Sequence, residues 1–390
     1  MNVAIVVEWL DAWRGGAERS TQQFIQHLVD MGITVEAFTR SPLPPRPGLT
    51  VTALLSRRGA GRLNTAAFCS AAEDAIDPRR FDVVHSILPV RCATVYEPRG
   101  GTYPETLARN IALRPTAAAR SFKRLTLQLN RKAQQMQKRE RELLTQPDAP
   151  MVIALSDYVV RQLQEHYSFP SERIRKIFNG VNPDTTDAAT RAAHRAEVRE
   201  LYGIGPDELL LLTVAHNFKL KGVRSLIEAL AIVEKNSRLI HWRCMVVGKD
   251  RTAPWQKLVS TQGLASRVQF PGPTQRIGAF LHAADMLVHP TFYDPCSRVV
   301  LEAVASCLPC ISTKFDGAAE VLTDGVSGFV LDSPDDAAML ADRIEQLGDR
   351  SRRAAMAAAQ ATILDKVTMR RHAQGVIELY KELVGGAVRA

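Results

Sequence analysis

Twice in this chain an unbroken apolar run gives way to a glycine-bearing loop and then to a helix that is apolar on one face. The first run is Val3 to Val7. Gly15-Gly16 follow, then a helix with Phe24, Ile25, Leu28 and Val29 on one side, ended near Gly32, and a further strand from Ile33 to Phe38. The second run is Leu209 to Val214. After it come the loop from His216 to Gly222, a helix carrying Val223, Leu226, Ile227, Leu230 and Val233, and the strand Cys244 to Gly248. A strand that is apolar at every position is buried on both faces, as in a parallel sheet under two layers of helices. The repeated plan predicts an α/β chain of two Rossmann-like domains. At 390 residues the chain also exceeds one ordinary core.

The turn-rich segment Phe178 to Asp184 and the polar helix Thr190 to Tyr202 mark the boundary, giving domains of 1–184 and 185–368 plus a terminal helix from Met369. The opening residues meet Glu8 without a basic leader, which reads as a buried strand and not a signal peptide. No apolar run reaches the ~20 residues of a membrane span. A cytoplasmic protein is therefore expected. Cys307-Leu308-Pro309-Cys310 matches C-x2-C, yet no second pair or His cluster completes a zinc site. The six cysteines read as structural thiols, and neither metal nor cofactor is expected.

In a Rossmann-like domain, ligands lie beyond the carboxyl ends of the strands. Five loops hold that position: 8–16, 85–101, 215–222, 248–251 and 289–298. The last is the most informative. His289-Pro290 closes the apolar run Met286 to Val288, Pro295 helps hold a turn, and Ser297 is placed to cap a helix carrying Val300, Leu301 and Val304. Asp294 stands in the loop and Glu302 two turns into the helix. Taken alone, this is a capped helix with two surface acids. Lys219 and Lys221, beside Gly222 at the mouth of a neighbouring strand, add two ammonium groups, and a helix N-terminus between carboxylates and lysines suits a diphosphate. No Asp-x-Asp pair occurs to clip a metal-bound nucleotide sugar, so fixed cations would stabilise the departing diphosphate. Gly15 and Gly16 hold the matching place in the first domain, where backbone can approach a ligand closely.

Gly-Gly-Ala-Glu-Arg at 15–19, Lys221-Gly222, Asp294-x7-Glu302, Ala303 to Pro309, Gly317 to Val321 and Asp324 to Gly328 together resemble glycosyltransferase family 4. Within it the lipopolysaccharide core glucosyltransferase I group is nearest, and the similarity runs from about residue 3 to 385. The resemblance implies a GT-B fold, with a cleft between the two domains and the segment 369–390 crossing back onto the first. It implies a retaining, metal-independent hexosyltransferase that uses a nucleotide-diphospho-sugar, UDP-linked by preference, and a glycolipid or polysaccharide acceptor such as lipopolysaccharide core. Glu302 would hold the ribose hydroxyls and Asp294 would lie near the donor sugar. Lys221 would meet the phosphates, and amides around Cys296, Ser297, Arg298 and Val299 the diphosphate and sugar. His216, Asn217, Lys219 and Gly248 complete the donor set. Asp294 is one methylene shorter than the family's usual Glu, and His216 replaces a frequent Arg. For catalysis the candidates are Asp294 and Lys221, with His85 or Glu97 (near Arg99) supplied by the first domain. A nucleotide-sugar epimerase of the same fold and a non-catalytic nucleotide-sugar binder are the alternatives. Product analysis and donor hydrolysis without acceptor would separate these.

The net charge of +9 is concentrated. Residues 109–142 hold ten Lys and Arg against Glu140 and Glu142, interspersed with Leu125, Leu127, Leu129 and Met136. This is either a solvated helix pair bracing the first domain or a docking surface for anionic lipid headgroups on the inner face of the plasma membrane. No aromatic interleaving or motif points to nucleic acid.

Overall fold

The computed structural model describes residues 1–390 except 12–13, 42–43, 45, 55–63, 115, 237–238, 240 and 388–390. The loop 8–16 and the segment 369–390 thus lie partly outside the described residues. The chain divides into two compact units, Met1–Gly180 with Met369–Ala390, and Val181–Thr368.

The first unit is built on a seven-stranded parallel sheet. Its strands are β1 (Asn2–Val6), β2 (Thr34–Thr39), β3 (Leu49–Ala53), β4 (Val83–Ser86), β5 (Val95–Tyr96), β6 (Met151–Ala154) and β7 (Ile174–Lys176), in the order β3-β2-β1-β4-β5-β6-β7. The continuous apolar run of β1 is explained by its two buried faces. Val3 and Ile5 pack with Phe24, Ile25 and Leu28 of the helix Gly16–Asp30 and with Val376 and Tyr380 of the terminal helix Met369–Ala387. Ala4 and Val6 face the opposite way, onto Phe38, Phe68 and Val84. Each such large side chain contributes roughly 1.5–3 kcal/mol on burial. The terminal helix therefore completes the core of the first unit, as the resemblance implies.

The second unit holds β8 (Leu209–Val214), β9 (Trp242–Val247), β10 (Val268–Gly272), β11 (Met286–Val288), β12 (Cys310–Thr313) and β13 (Phe329–Leu331), all parallel, ordered β10-β9-β8-β11-β12-β13. Both sheets reverse direction of growth beside their first strand, between β1 and β4 and between β8 and β11. Crevices for ligands open at that switch point in doubly wound sheets.

Two glycines hold the strand-end loops of the second unit together. Gly248 sits at φ +140°, and a Cβ there would lie 1.8 Å from the Ala215 carbonyl oxygen. Gly222, at φ +71°, would place one 1.9 Å from the Pro290 oxygen. Only a residue without a side chain permits such backbone approach.

The basic segment forms parts of three helices, Tyr103–Ala112, Ala117–Gln128 and Arg131–Thr145. Glu140 turns inward, fully buried. It accepts hydrogen bonds from Tyr96 Oη at 2.7 Å, Tyr167 Oη at 2.5 Å and the Tyr103 amide at 2.8 Å. Burial pushes its carboxyl up to about 7 against these bonds. It does not balance surface charge, contrary to its place in the sequence count. All six cysteines are free thiols. Cys307 takes a left-handed turn (φ +54°) just after the helix Arg298–Ala305, and Cys310 opens β12, as their flanks predict.

Candidate functional site

In the second unit, the loops after β8, β9 and β11 meet at the switch point. Asn217 adopts φ +60°, and its side chain accepts the Leu220 amide at 3.2 Å, which curls the loop back on itself. The Phe218 amide donates to Asp250 at 2.6 Å, tying this loop to the one after β9. His216, Asn217 and Lys219 are exposed, whereas Lys221 points inward. Its ammonium donates to Asp294 Oδ2 at 2.5 Å and to the Tyr293 carbonyl at 3.2 Å. The expected lysine and the expected acid are thus partners of each other. Asp294 Oδ1 also accepts the Cys296 amide at 3.2 Å.

Ser297 stands at the N-cap of the helix Arg298–Ala305 with extended backbone, but its hydroxyl makes no capping bond. It lies 3.2 Å from His289 Nε2 instead. The capping role expected for this hydroxyl is corrected, because the buried imidazole competes for it. Burial, reinforced by Lys221, pushes His289 down to about 3, so the ring is neutral at pH 7. The Ser297 hydroxyl thus leaves the first turn of this helix, which begins at Arg298 and Val299, without a bond from its N-cap side chain. Arg298 Nε donates to Glu302 Oε1 at 2.8 Å across one turn.

Sequence reasoning missed Asp316. This buried carboxylate accepts the Ser297 and Ala318 amides, both at 2.9 Å, and the Ser312 hydroxyl at 2.8 Å. The Asp294 amide and carbonyl pair with Phe315 and Gly317, so the two acids run side by side. Burial and then the Asp294 charge push Asp316 up to about 7. Its signal was present: an acid directly before Gly317-Ala318 is the usual cap of a short helical turn. The Cys296 and Ser297 amides, expected to meet a diphosphate, are thus held by Asp294 and Asp316.

In the first unit, Gly15 precedes the helix Gly16–Asp30 with extended backbone and no side-chain cap. His85 and Glu97 come together at the ends of β4 and β5, with Nε2 and Oε2 3.0 Å apart. Both are fully buried. His85 Nδ1 meets Tyr380 Oη at 2.5 Å and Arg99 Nε donates to Glu97 Oε1 at 2.7 Å, while His372 Nε2 lies 3.8 Å from the same oxygen. Burial alone would raise the Glu97 carboxyl, but Arg99 and the histidines outweigh it and hold it below the ordinary range. As placed, neither His85 nor Glu97 has any surface with which to touch a ligand. They bind the terminal helix to the sheet and aim Arg99. Burial also lowers His372 to about 4.

Residues 14–185 match the family model for Glycosyltransferase Family 4 and residues 194–362 the model for Glycosyl transferases group 1. The chain is 30% identical over 195 residues to the lipopolysaccharide glucosyltransferase WaaG of Escherichia coli, a match covering 50% of this chain and 52% of WaaG. That aligned stretch spans about half of the relative's length. It is 25% identical to the D-inositol 3-phosphate glycosyltransferase of Paenarthrobacter aurescens over 95% of this chain and 94% of that one. Among solved structures WaaG superposes with a TM-score of 0.80 at 22% identity, covering 98% of this chain and 100% of WaaG. Anabaena HepE in complex with UDP and glucose superposes with a TM-score of 0.71 at 18% identity, covering 97% and 98%.

Proposed function

The chain belongs to the glycosyl transferases group 1 and has the GT-B fold, and on that premise we propose that it moves a hexose from UDP to a glycolipid or saccharide acceptor with retention at the anomeric carbon. The observation that carries this reading is the Lys221–Asp294 pair beside a helix N-terminus, at the switch point of the second sheet, to which the N-cap hydroxyl makes no capping bond. The bond between the anomeric carbon and the diphosphate oxygen breaks, the acceptor oxygen bonds to the same face of that carbon, and the diphosphate leaves with the electron pair and takes the proton that the acceptor hydroxyl gives up. Lys221 and the amides of the first helical turn stabilise the charge that develops on it. Asp294 positions the ammonium and faces the sugar hydroxyls. Glu302, with one oxygen on Arg298, takes the ribose hydroxyls with the other. The UDP and glucose bound in the Anabaena HepE complex, and the lipopolysaccharide glucosyltransferase WaaG among the relatives, support the choice of UDP and of a lipopolysaccharide-type acceptor. Because a fixed ammonium and backbone amides do this work, transfer is expected to persist in EDTA.

Ligand that binds only the native state raises its stability by mass action, about 2.7 kcal/mol at a hundredfold excess over Kd. UDP is expected to raise the melting temperature of the wild-type protein, and Glu302→Ala to abolish that rise while melting normally without UDP. An undiminished shift in the variant would remove Glu302 from the ribose.

The membrane belongs to the same proposal. Phe122, Leu125 and Leu129 are 69%, 56% and 75% exposed on or beside the helix Ala117–Gln128, among Arg120, Lys123 and Arg124. Apolar side chains can enter the headgroup layer while each basic residue gains ~1 kcal/mol from anionic lipid. Among the described residues no helix is long and apolar enough to cross a membrane. The protein is expected to sediment with phosphatidylglycerol vesicles at low salt and to be released by ~0.5 M salt, where screening shortens the field. Equal sedimentation with neutral vesicles would remove the electrostatic part.

A further inference from the structure

Asp294 and Asp316 lie on neighbouring loops of the second unit, after β11 and β12, and backbone hydrogen bonds zip the two loops together. The Asp294 amide donates to the Phe315 carbonyl and the Gly317 amide to the Asp294 carbonyl, both at 2.9 Å. This is one rung of a parallel ladder with Asp294 opposite Asp316, and chains so paired stand about 5 Å apart. The fold itself therefore holds two carboxylates as neighbours. Asp294 is answered by the Lys221 ammonium at 2.5 Å. Asp316, 2% exposed, has neutral partners instead: the Ser297 and Ala318 amides on Oδ1 and the Ser312 hydroxyl on Oδ2. Of the other titratable groups packed nearby, His289 is neutral at pH 7, and the buried Cys310 thiol is pushed up to about 12. Arg298 is bonded to Glu302, exposed Lys314 to Asp332, and Glu320 is exposed. With both acids ionised, a single ammonium answers two carboxylates and the loops carry surplus negative charge.

An anionic donor entering here would meet that surplus, and the hydrogen bonds provide a way to remove it. On protonation Asp316 keeps both amides on Oδ1. The new O–H on Oδ2 donates to Ser312, whose hydroxyl turns from donor to acceptor. No hydrogen bond is lost. Burial and the Asp294 charge already hold the Asp316 carboxyl at about 7, so the exchange is within reach at neutral pH. We propose that Asp316 is a positioning residue of the donor loop that takes up a proton from solvent when a nucleotide-diphospho-sugar binds. It acts through the loop, by holding the Ser297 amide and the turn at Gly317, and not by contact with the ligand. This role rests on the donor reading above. A bound anion raises the affinity of Asp316 for a proton, and by linkage the proton favours the anion. Donor affinity is then level at acid pH, where Asp316 is protonated in both states. It falls as pH rises through 7, until the carboxyl is ionised in both.

The test titrates the full chain with UDP-glucose, whose diphosphate has no ionisation near neutrality, by calorimetry in HEPES and in Tris, which ionise with different heats. At pH 7.5 the two buffers should report about half a proton taken up per ligand bound, as for a roughly tenfold gain in proton affinity. Binding should then be about fivefold weaker at pH 8.5 than at pH 6.5. Asp316→Asn keeps an oxygen for the two amides and a donor for Ser312 but does not titrate. Its affinity should be flat over that range, with no proton taken up. Asp316→Ala also loses the amide acceptor, and should bind about tenfold more weakly than Asp316→Asn at every pH. Ser312→Ala removes a bond that favours the ionised carboxyl, so its affinity should begin to fall at a higher pH. Binding by the wild-type protein without proton uptake, or uptake retained in Asp316→Asn, would overturn the proposal and leave the donor reading standing. The wild-type titration decides the matter even should that variant not fold. GDP- or ADP-glucose binding with the same uptake in place of UDP-glucose would remove uridine and uphold the coupling. Binding of none of the three would sink the donor reading, and the coupling with it.

Discussion

Transfer by a Lys221→Ala variant is expected to fall about 10²–10³-fold in kcat, the usual effect of deleting one preorganised donor aimed at developing charge. Lys221 is placed for that effect. Its ammonium is held by the Tyr293 carbonyl and Asp294, so little reorganisation is needed when a diphosphate arrives. Deletion also leaves Asp294 beside Asp316 without its compensating cation, and the resulting repulsion opposes an anionic donor. Lys221→Arg should recover part of the rate, since charge is kept and geometry is not. Initial rates with a UDP-sugar and an acceptor, on variants whose circular dichroism matches wild type, provide the measurement. A folded Lys221→Ala protein with the full rate would end the assignment of this loop as the donor site.

The second large effect is on stability. Gly248→Ala should destabilise the second unit by about 4 kcal/mol or more, since a Cβ 1.8 Å from the Ala215 oxygen forces two strand-end loops apart. For a unit of this size that corresponds to a fall of roughly 8–16 °C in Tm. Gly263→Ala is the control. That residue has φ +75°, and a Cβ added there would meet nothing within 4 Å, so it would bear only the left-handed backbone cost of about 1–2 kcal/mol. Should the two variants melt within a few degrees of each other, the close approach at Gly248 is not what holds the loops.

The doubled Rossmann plan was legible because β1 and β8 are apolar at every position, a pattern that has one simple explanation. Strand order was not. β5 is two residues long and β11 three, too short to show a period, and their places follow from pairings across the chain. The relative placement of the loop proposed for the donor could be read because Asp294, Ser297 and Glu302 lie on one strand–loop–helix, so spacing fixes their relations. The cluster around Glu97 could not, because His85 meets Tyr380 across 295 residues. A polar residue at a strand end looks the same from its neighbours whether it faces a ligand or a helix from the far end of the chain. Here it faces the helix.

The inward turn of Glu140 has an effect at long range. With that acid withdrawn, Glu142 is the acid left on the outer side of its helix, and it is occupied by Arg91 and Lys138. Of the ten positive groups of residues 109–142, Arg109, Lys138 and Arg139 pair with Glu105, Glu142 and Glu73, and the excess left by the others would give the first unit a lopsided electric moment. In the field of an anionic surface such a body feels a torque within about a Debye length, ~8 Å at physiological salt. Orientation would precede touch, and the domain would arrive already turned, with Phe122, Leu125 and Leu129 leading.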